Sequence, residues 1–212
     1  MTGAELLEEL RHNLLRDSNL PQRWTDDYLL RKLNDAETQF AGHTHCLIKD
    51  GIEVVTVARN AIYLLPEALQ VKAVHDSQGF PLQQVTANQL YGPRIEGQPR
   101  GYMGRQGREL TMLLYPTPDA QYTVYVTAAV MPEQSFGELE EPSIPAQWHR
   151  ALCFYAAMQA LQSTDAQVAD LEAAAMFRRE WVRELRDAKA EAFRMALGQN
   201  PNALHGMHRG TM

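Results

Sequence analysis

Leu110–Val130, LTMLLYPTPDAQYTVYVTAAV, decides how the chain is read. Leu110 to Tyr115 and Tyr122 to Val130 are the two best strand segments, rich in long apolar, aromatic and β-branched residues. Between them, Pro116-Thr117-Pro118-Asp119-Ala120-Gln121 has the residues of a tight turn, so a hairpin is expected. Working outward, Ile52 to Val57 reads as a strand after an Asp50-Gly51 turn. Ile62 to Leu65 is a short apolar run stopped by Pro66, and Leu69, Val71 and Ala73 alternate with polar Gln70 and Lys72. Gly92 to Gly107, with Pro93, Pro99 and interspersed glycines, is expected to be an exposed loop.

On both sides of this β-rich middle the period changes to that of a helix. Leu6, Leu10 and Leu14 recur every four residues, with Glu8, Glu9 and Arg11 on the other side. Thr25 suits an N-cap with Asp26 and Asp27 in the first turn, and Leu29, Leu33, Ala36 and Phe40 form one stripe before Gly42. After an acidic linker through Glu138, Glu140 and Glu141, Pro145 suits a first helical turn. Trp148, Leu152, Tyr155 and Gln159 then share a side, in a helix running to Leu161. Thr164 and Gln167 resemble a capping box. A long helix follows with Leu171, Ala174, Phe177, Trp181, Leu185, Ala188 and Ala192 on its apolar face, ended by Gly198, Asn200 and Pro201.

The fold class is therefore α+β: a helical bundle frame from N- and C-terminal helices, with an inserted antiparallel β-rich subdomain. The expected divisions are 1–42 for the N-terminal helices, 43–132 for the insertion, 143–197 for the C-terminal helices and 198–212 for a flexible tail. Helices from the two ends need mutual cover, so Leu29, Leu33 and Phe40 should pack on Phe177, Trp181 and Leu185.

Composition limits the function. The 212 residues are 45% hydrophobic and 22% charged, ordinary for a globular chain. A net charge of -6 argues against coating nucleic acid through its phosphates, and permits DNA to slide past. The two cysteines, Cys46 and Cys153, show no pairing pattern and read as buried reduced thiols. Met1 to Glu5 lacks the start of a signal peptide, and no stretch approaches the ~20 apolar residues of a membrane span. Synthesis in the cytoplasm and no membrane partner are expected.

The candidates for chemistry are thin. His43, His45 and Cys46 lie close together, but His12, His75 and His149 supply no second half of a zinc signature. His205 and His208 fall in a tail that Gly206 and Pro201 turn away from helix. Gly97, Gly101, Gly104 and Gly107 match neither phosphate-loop nor dinucleotide spacing. The interleaved Arg94, Arg100, Arg105 and Arg108 make that stretch basic and mark it as a contact for a partner or for DNA backbone. Ser18, Ser77, Ser135, Ser143 and Ser163 occupy no nucleophile elbow. No catalytic, cofactor or metal site is expected.

The order of features resembles the head-to-tail adaptor, or connector, proteins of tailed bacteriophages. The resemblance is carried by Trp24-Thr25-Asp26, Leu33-Asn34-Asp35-Ala36, Tyr63-Leu64-Leu65-Pro66 and Leu69-Gln70-Val71, followed by Gly79 and Leu82. It continues through Leu110 to Pro116, Pro118-Asp119, Tyr122 to Tyr125, Met131-Pro132, Ile144-Pro145, Trp148-His149 and the helix Leu152 to Ala160, ending on Phe177 and Trp181. It spans Trp24 to Leu185; the first helix and the arginine-rich stretch are departures. It implies a non-enzymatic virion protein of the neck, assembled in the host cytoplasm. It implies a homo-oligomeric ring of about a dozen copies beneath the portal. That ring would extend the DNA channel, join capsid to tail or nozzle proteins, and help retain packaged double-stranded DNA without reading its sequence. Adaptor C-termini reach into the portal, which makes Leu204, Met207, Arg209 and Met212 portal-contact candidates. A tail-completion or tail-tube component is the alternative, and a small metal-binding protein a further one.

Overall fold

The computed structural model describes residues 1–18, 21–90, 95–162 and 168–199. Two compact units are present. Met1–Leu47 and Pro132–Met212 belong to one, and Ile48–Met131, continuous in sequence, interrupts it as the other. The class is α+β, with helices in the first unit and antiparallel pairing predominant in the second.

In the first unit, α1 (Gly3–Glu8) starts at a capping box. Thr2 Oγ1 accepts from the Glu5 N–H at 3.3 Å, and the Glu5 carboxylate accepts from the Thr2 N–H at 3.0 Å. The chain then winds as a π-helix over Glu9–Leu15 and stops at Arg16, in the left-handed region at φ 53°. Leu6 and Leu10 are fully buried as their spacing predicts, but Arg11, expected on the solvent side, is buried too. The wider π-turn explains this, because residues five apart share a face and Arg11 follows Leu6 inward.

Helix α2 (Asp26–Thr44) is capped by Thr25, whose hydroxyl accepts from the Tyr28 N–H at 3.3 Å. Leu29, Leu33, Ala36 and Phe40 are fully buried, the expected stripe. The helix passes Gly42 and ends at His45, left-handed at φ 54°, whose N–H donates to the Ala41 carbonyl at 2.8 Å.

The acidic stretch after Pro132 is no free linker. Phe136 and Ile144 are buried in the helical core. The Gly3 and Ala4 N–H groups, orphans of the first turn of α1, donate to the Glu140 and Glu138 carbonyls, each at 2.8 Å. Gly3 is required there, since a Cβ would stand 2.4 Å from the Gly137 carbonyl oxygen.

After a 3₁₀ turn, Ala146–Trp148, comes α4 (His149–Leu161), numbered after a short helix of the other unit. The sequence suggested one buried side. Only Arg150, Tyr155 and Gln159 in fact escape full burial, because α4 is packed by the α1–π segment, α2 and α5 (Val168–Gln199) together. On α5, Ala174, Phe177, Trp181 and Ala188 are buried and Leu185 partly so. Leu171, placed on that face by periodicity, is 52% exposed. At 32 residues against 13, α5 outruns α4 by roughly 28 Å, and Leu171 near its N-terminal end lacks that cover. Phe40 meets Trp181 edge-on with ring centres 5.6 Å apart, joining the two ends of the chain as expected. Phe177 stacks instead on Phe154 of α4, at 6.3 Å.

The second unit contains β1 (Ile48–Val55), β2 (Ile62–Leu65), β3 (Ala68–Asp76), β4 (Gln83–Gln84), a helical turn α3 (Ala87–Leu90), β5 (Gly101–Arg105), β6 (Leu110–Tyr115) and β7 (Thr123–Val130). The sheets run β1-β7-β3 and β2-β6-β5-β4 and share a core in which Val74, Met112 and Val126 are fully buried. The unit departs from its sequence pattern in three places. First, β6 and β7 form no hairpin, since each belongs to a different sheet. Their connection is held to other segments: Thr117 donates its N–H to Ile95 O at 3.0 Å, and the Tyr122 N–H donates to Thr56 Oγ1 at 2.8 Å. Second, Asp50-Gly51 is a bulge within β1, where the register against β7 shifts between Lys49 and Ile52. Gly51 takes φ +72°, which glycine adopts without strain. Third, Gly101–Arg105, inside the expected loop, is a strand paired on both sides.

Trp181→Ala should lower the stability of the helical unit by about 3–5 kcal/mol. Leu171→Ala should stay within about 0.5 kcal/mol. Urea unfolding followed by far-UV circular dichroism compares the two.

Candidate functional site

Three buried polar groups, Arg11, Glu37 and His149, and the half-buried Asn34 fasten irregular segments in the helical unit. Arg11 donates from Nε to Asp26 Oδ1 at 2.8 Å, from Nη1 to Asp17 Oδ2 at 2.9 Å and from Nη2 to the Trp24 carbonyl at 2.7 Å. Asp17 in turn accepts from the Arg23 and Trp24 N–H groups at 2.9 and 3.2 Å. One guanidinium thus ties the end of the π-turn to the start of α2, using its planar fork. Glu37, also buried, accepts from the Ser143 N–H and from the Ile144 N–H at 3.3 Å. Burial pushes its carboxyl above the ordinary range, opposed by those two backbone bonds. Asn34 exchanges bonds with the Phe136 backbone at 2.8 and 3.1 Å. His149 is buried with Nε2 at 2.9 Å from the Ile144 carbonyl, to which it must donate. None of these roles is legible in spacing alone; the nearest signals are a charge one residue off an apolar stripe (Arg11) and one inside it (Glu37).

The suspected ligand residues do not converge. Among the described residues no group of three or more His, Cys, Asp or Glu could hold a metal. His43 is exposed, His45 serves as the C-cap of α2, and Cys46 is half-buried rather than buried. Burial raises the Cys46 thiol and pushes Cys153 up to about 12, where the Glu9 charge adds to the effect. Both therefore stay protonated near neutral pH, unlike a nucleophilic thiolate. A shallow groove of about 430 Å³ lies along α2, lined by Asp27, Tyr28, Arg31, Lys32, Asp35 and Phe136 among others. Its mixed charges converge on no single point.

The arginine candidates separate. Arg105 closes β5 and Arg108 sits in the following β5–β6 turn, both exposed, so the structure brings these two to one end of the sheet. Arg100 precedes β5, about 16 Å away along an extended chain, and is exposed there. Arg94 lies outside the described residues, as do Leu204, Met207, Arg209 and Met212, the tail histidines His205 and His208, and the Thr164–Gln167 capping box.

The outward faces of the two sheets are the main feature that sequence reading missed. On β2-β6-β5-β4, registered rows place Ile62 beside Leu113 and Met103, and Leu64 beside Thr111 and Arg105. Ile62 and Leu64 are 55% and 61% exposed. On β1-β7-β3, Glu53, Tyr125 and His75 form one row and Val55 sits beside Thr123, with Val55 and Tyr125 43% and 39% exposed. Alternation in β1 and β2 was the available signal, but apolar residues on both faces hid which was outside.

A family model described as SU10 adaptor protein matches residues 1–203. The match includes the first helix and the arginine-rich stretch, both read from the sequence as departures from the adaptor pattern. A solved structure described as the neck of an empty GTA particle, computed with C6 symmetry, is similar at 17% identity. The similarity covers 81% of this chain and 87% of that one, with a TM-score of 0.29. No curated protein matches.

Two outcomes follow from the buried charges. Arg11→Met should cost about 3–5 kcal/mol, because it removes the cation that faces the Asp17 carboxylate and the donor that satisfies the Trp24 carbonyl. For Glu37, a folded-state pKa above the ordinary 4.5 means the folded chain holds a proton that the unfolded chain has lost. Its contribution is complete below that value and declines as pH rises through the raised one. Urea midpoints measured across this window should fall with rising pH in the native chain, and less steeply in Glu37→Gln. Equal slopes would contradict the assignment.

Proposed function

Because the chain belongs to the SU10 adaptor protein family, we propose that it is a non-enzymatic head-to-tail adaptor of a phage-like particle. It assembles as a ring beneath the portal, in the neck of the virion. The observation that carries this reading is the family match over residues 1–203, which takes in both units. The ring holds about a dozen copies, contacts the portal on one side and tail or nozzle proteins on the other, and extends the DNA channel. Assembly takes place in the host cytoplasm.

The physical properties support this reading. A channel wall must not bind passing phosphates tightly, and a net charge of -6 satisfies that; as an adaptor ring it helps retain packaged DNA without sequence readout. The alternative of a tail-tube component fits less well. Tube subunits are built mainly of strand, whereas α2 and α5 alone run 19 and 32 residues. Arg94, Arg100, Arg105 and Arg108 serve contacts with a partner or with DNA backbone.

The C-terminal segment is the portal anchor in this account. Asn202 to Met212 carries no acidic residue, and Leu204, Met207 and Met212 alternate with polar and basic neighbours including Arg209. Such a segment suits a grooved or acidic protein surface better than a DNA-facing wall. Deleting Asn202 to Met212 should weaken binding to purified portal while leaving the melting curve unchanged. Equal affinity for the truncated and full chains would assign docking to the helical unit instead. Binding by neither would remove the portal from the account.

A further inference from the structure

The inserted β unit carries two outward sheet faces that match each other in chemistry. One, on β2-β6-β5-β4, presents the exposed Ile62 and Leu64 and the half-buried Met103 and Leu113 over three neighbouring strands, with Arg105 in the row of Leu64. The other, on β1-β7-β3, presents Val55 and Tyr125, with Glu53 directly beside Tyr125. The two sheets share one core, so these outward faces lie on opposite sides of the unit. Neither Glu53 nor Arg105 is in an ion pair among the described residues.

We infer that the inserted unit is a ring contact, in which the β2-β6-β5-β4 face of one copy packs on the β1-β7-β3 face of the next. This deepens the ring reading and rests on it. A ring requires a heterologous contact, in which two different patches of the same chain meet. Opposite faces of a two-sheet unit, each with exposed apolar side chains and carrying opposite charge, provide that pair. Stacking either face on itself would set Arg105 against Arg105 or Glu53 against Glu53, which costs energy. Nucleic acid is a poor occupant, because Ile62, Leu64, Met103 and Leu113 dominate the two rows of the first face and only Arg105 in them could meet a phosphate. The occupant is therefore a second copy of this chain, and the contact joins Arg105 of one copy to Glu53 of its neighbour across an apolar centre.

The test counts rings by electron microscopy and native mass spectrometry, using the full chain with purified portal. Ile62→Asp with Leu64→Asp should abolish rings while circular dichroism stays native. Both are exposed, so folding should survive. The charge exchange decides the matter even if that variant misfolds. Arg105→Glu alone and Glu53→Arg alone should each reduce rings, and the chain carrying both should restore them, because every contact then again pairs opposite charges. Rings unaffected by all these changes would overturn the inference, as would failure of the combined variant to recover. If the unaltered chain forms no ring at all, the ring reading itself falls, and that result is distinct from rings that ignore the substitutions.

Discussion

Helix α4 is apolar on nearly every side, and the remainder of the helical unit exists to cover it. A helix so enclosed needs neighbours all round, and no adjacent stretch of sequence could supply them alone. Cover comes from the α1–π segment and α2 before the insertion and from α5 after it. The two ends of the chain are thus forced together, and whatever lies between Leu47 and Pro132 must leave and return. The alanines Ala151, Ala156, Ala157 and Ala160 let the surrounding helices approach closely.

With helix packing assigned to apolar residues, the buried and half-buried polar groups have another task. Arg11 holds Asp17, Trp24 and Asp26, Asn34 and Glu37 hold Phe136, Ser143 and Ile144, and His149 holds Ile144. Each satisfies backbone groups that no helix or strand provides for, where an unpaired group would be costly. Charges of this kind add little net stability compared with apolar substitutes, yet losing one partner is expensive. They therefore act as fasteners that choose one path for an irregular chain.

The legible part of the fold was the part governed by a single period. The stripe of α2, the capping at Thr25 and the Phe40–Trp181 meeting all follow from spacing and side-chain size. What escaped depends on partners distant in sequence. Leu110–Val130 looks like one hairpin locally, yet β6 and β7 belong to separate sheets because β1, β2, β3 and β5 are better partners for them than each other. Arg11 looked exposed because a helical period was assumed across a π-turn. Gly101–Arg105 looked like loop because its glycines suit close packing as well as turns; a Cβ on Gly101 would meet Val85 Cγ1 at 2.5 Å. The apolar sheet faces could not be read at all, since alternation does not say which side is inside when both are apolar.

The division of labour in the molecule follows. The helical unit keeps its polar fasteners inside, and the inserted unit leaves Ile62, Leu64, Val55 and Tyr125 exposed on its sheet faces. For a protein of the adaptor family, that arrangement places recognition on surfaces rather than in a pocket. The most direct measurement is cryo-electron microscopy of the full chain mixed with purified portal. The account predicts a closed ring coaxial with the portal, added on its tail-proximal side. A chain that stays monomeric, or that binds the portal as scattered single subunits with no closed ring, would contradict it.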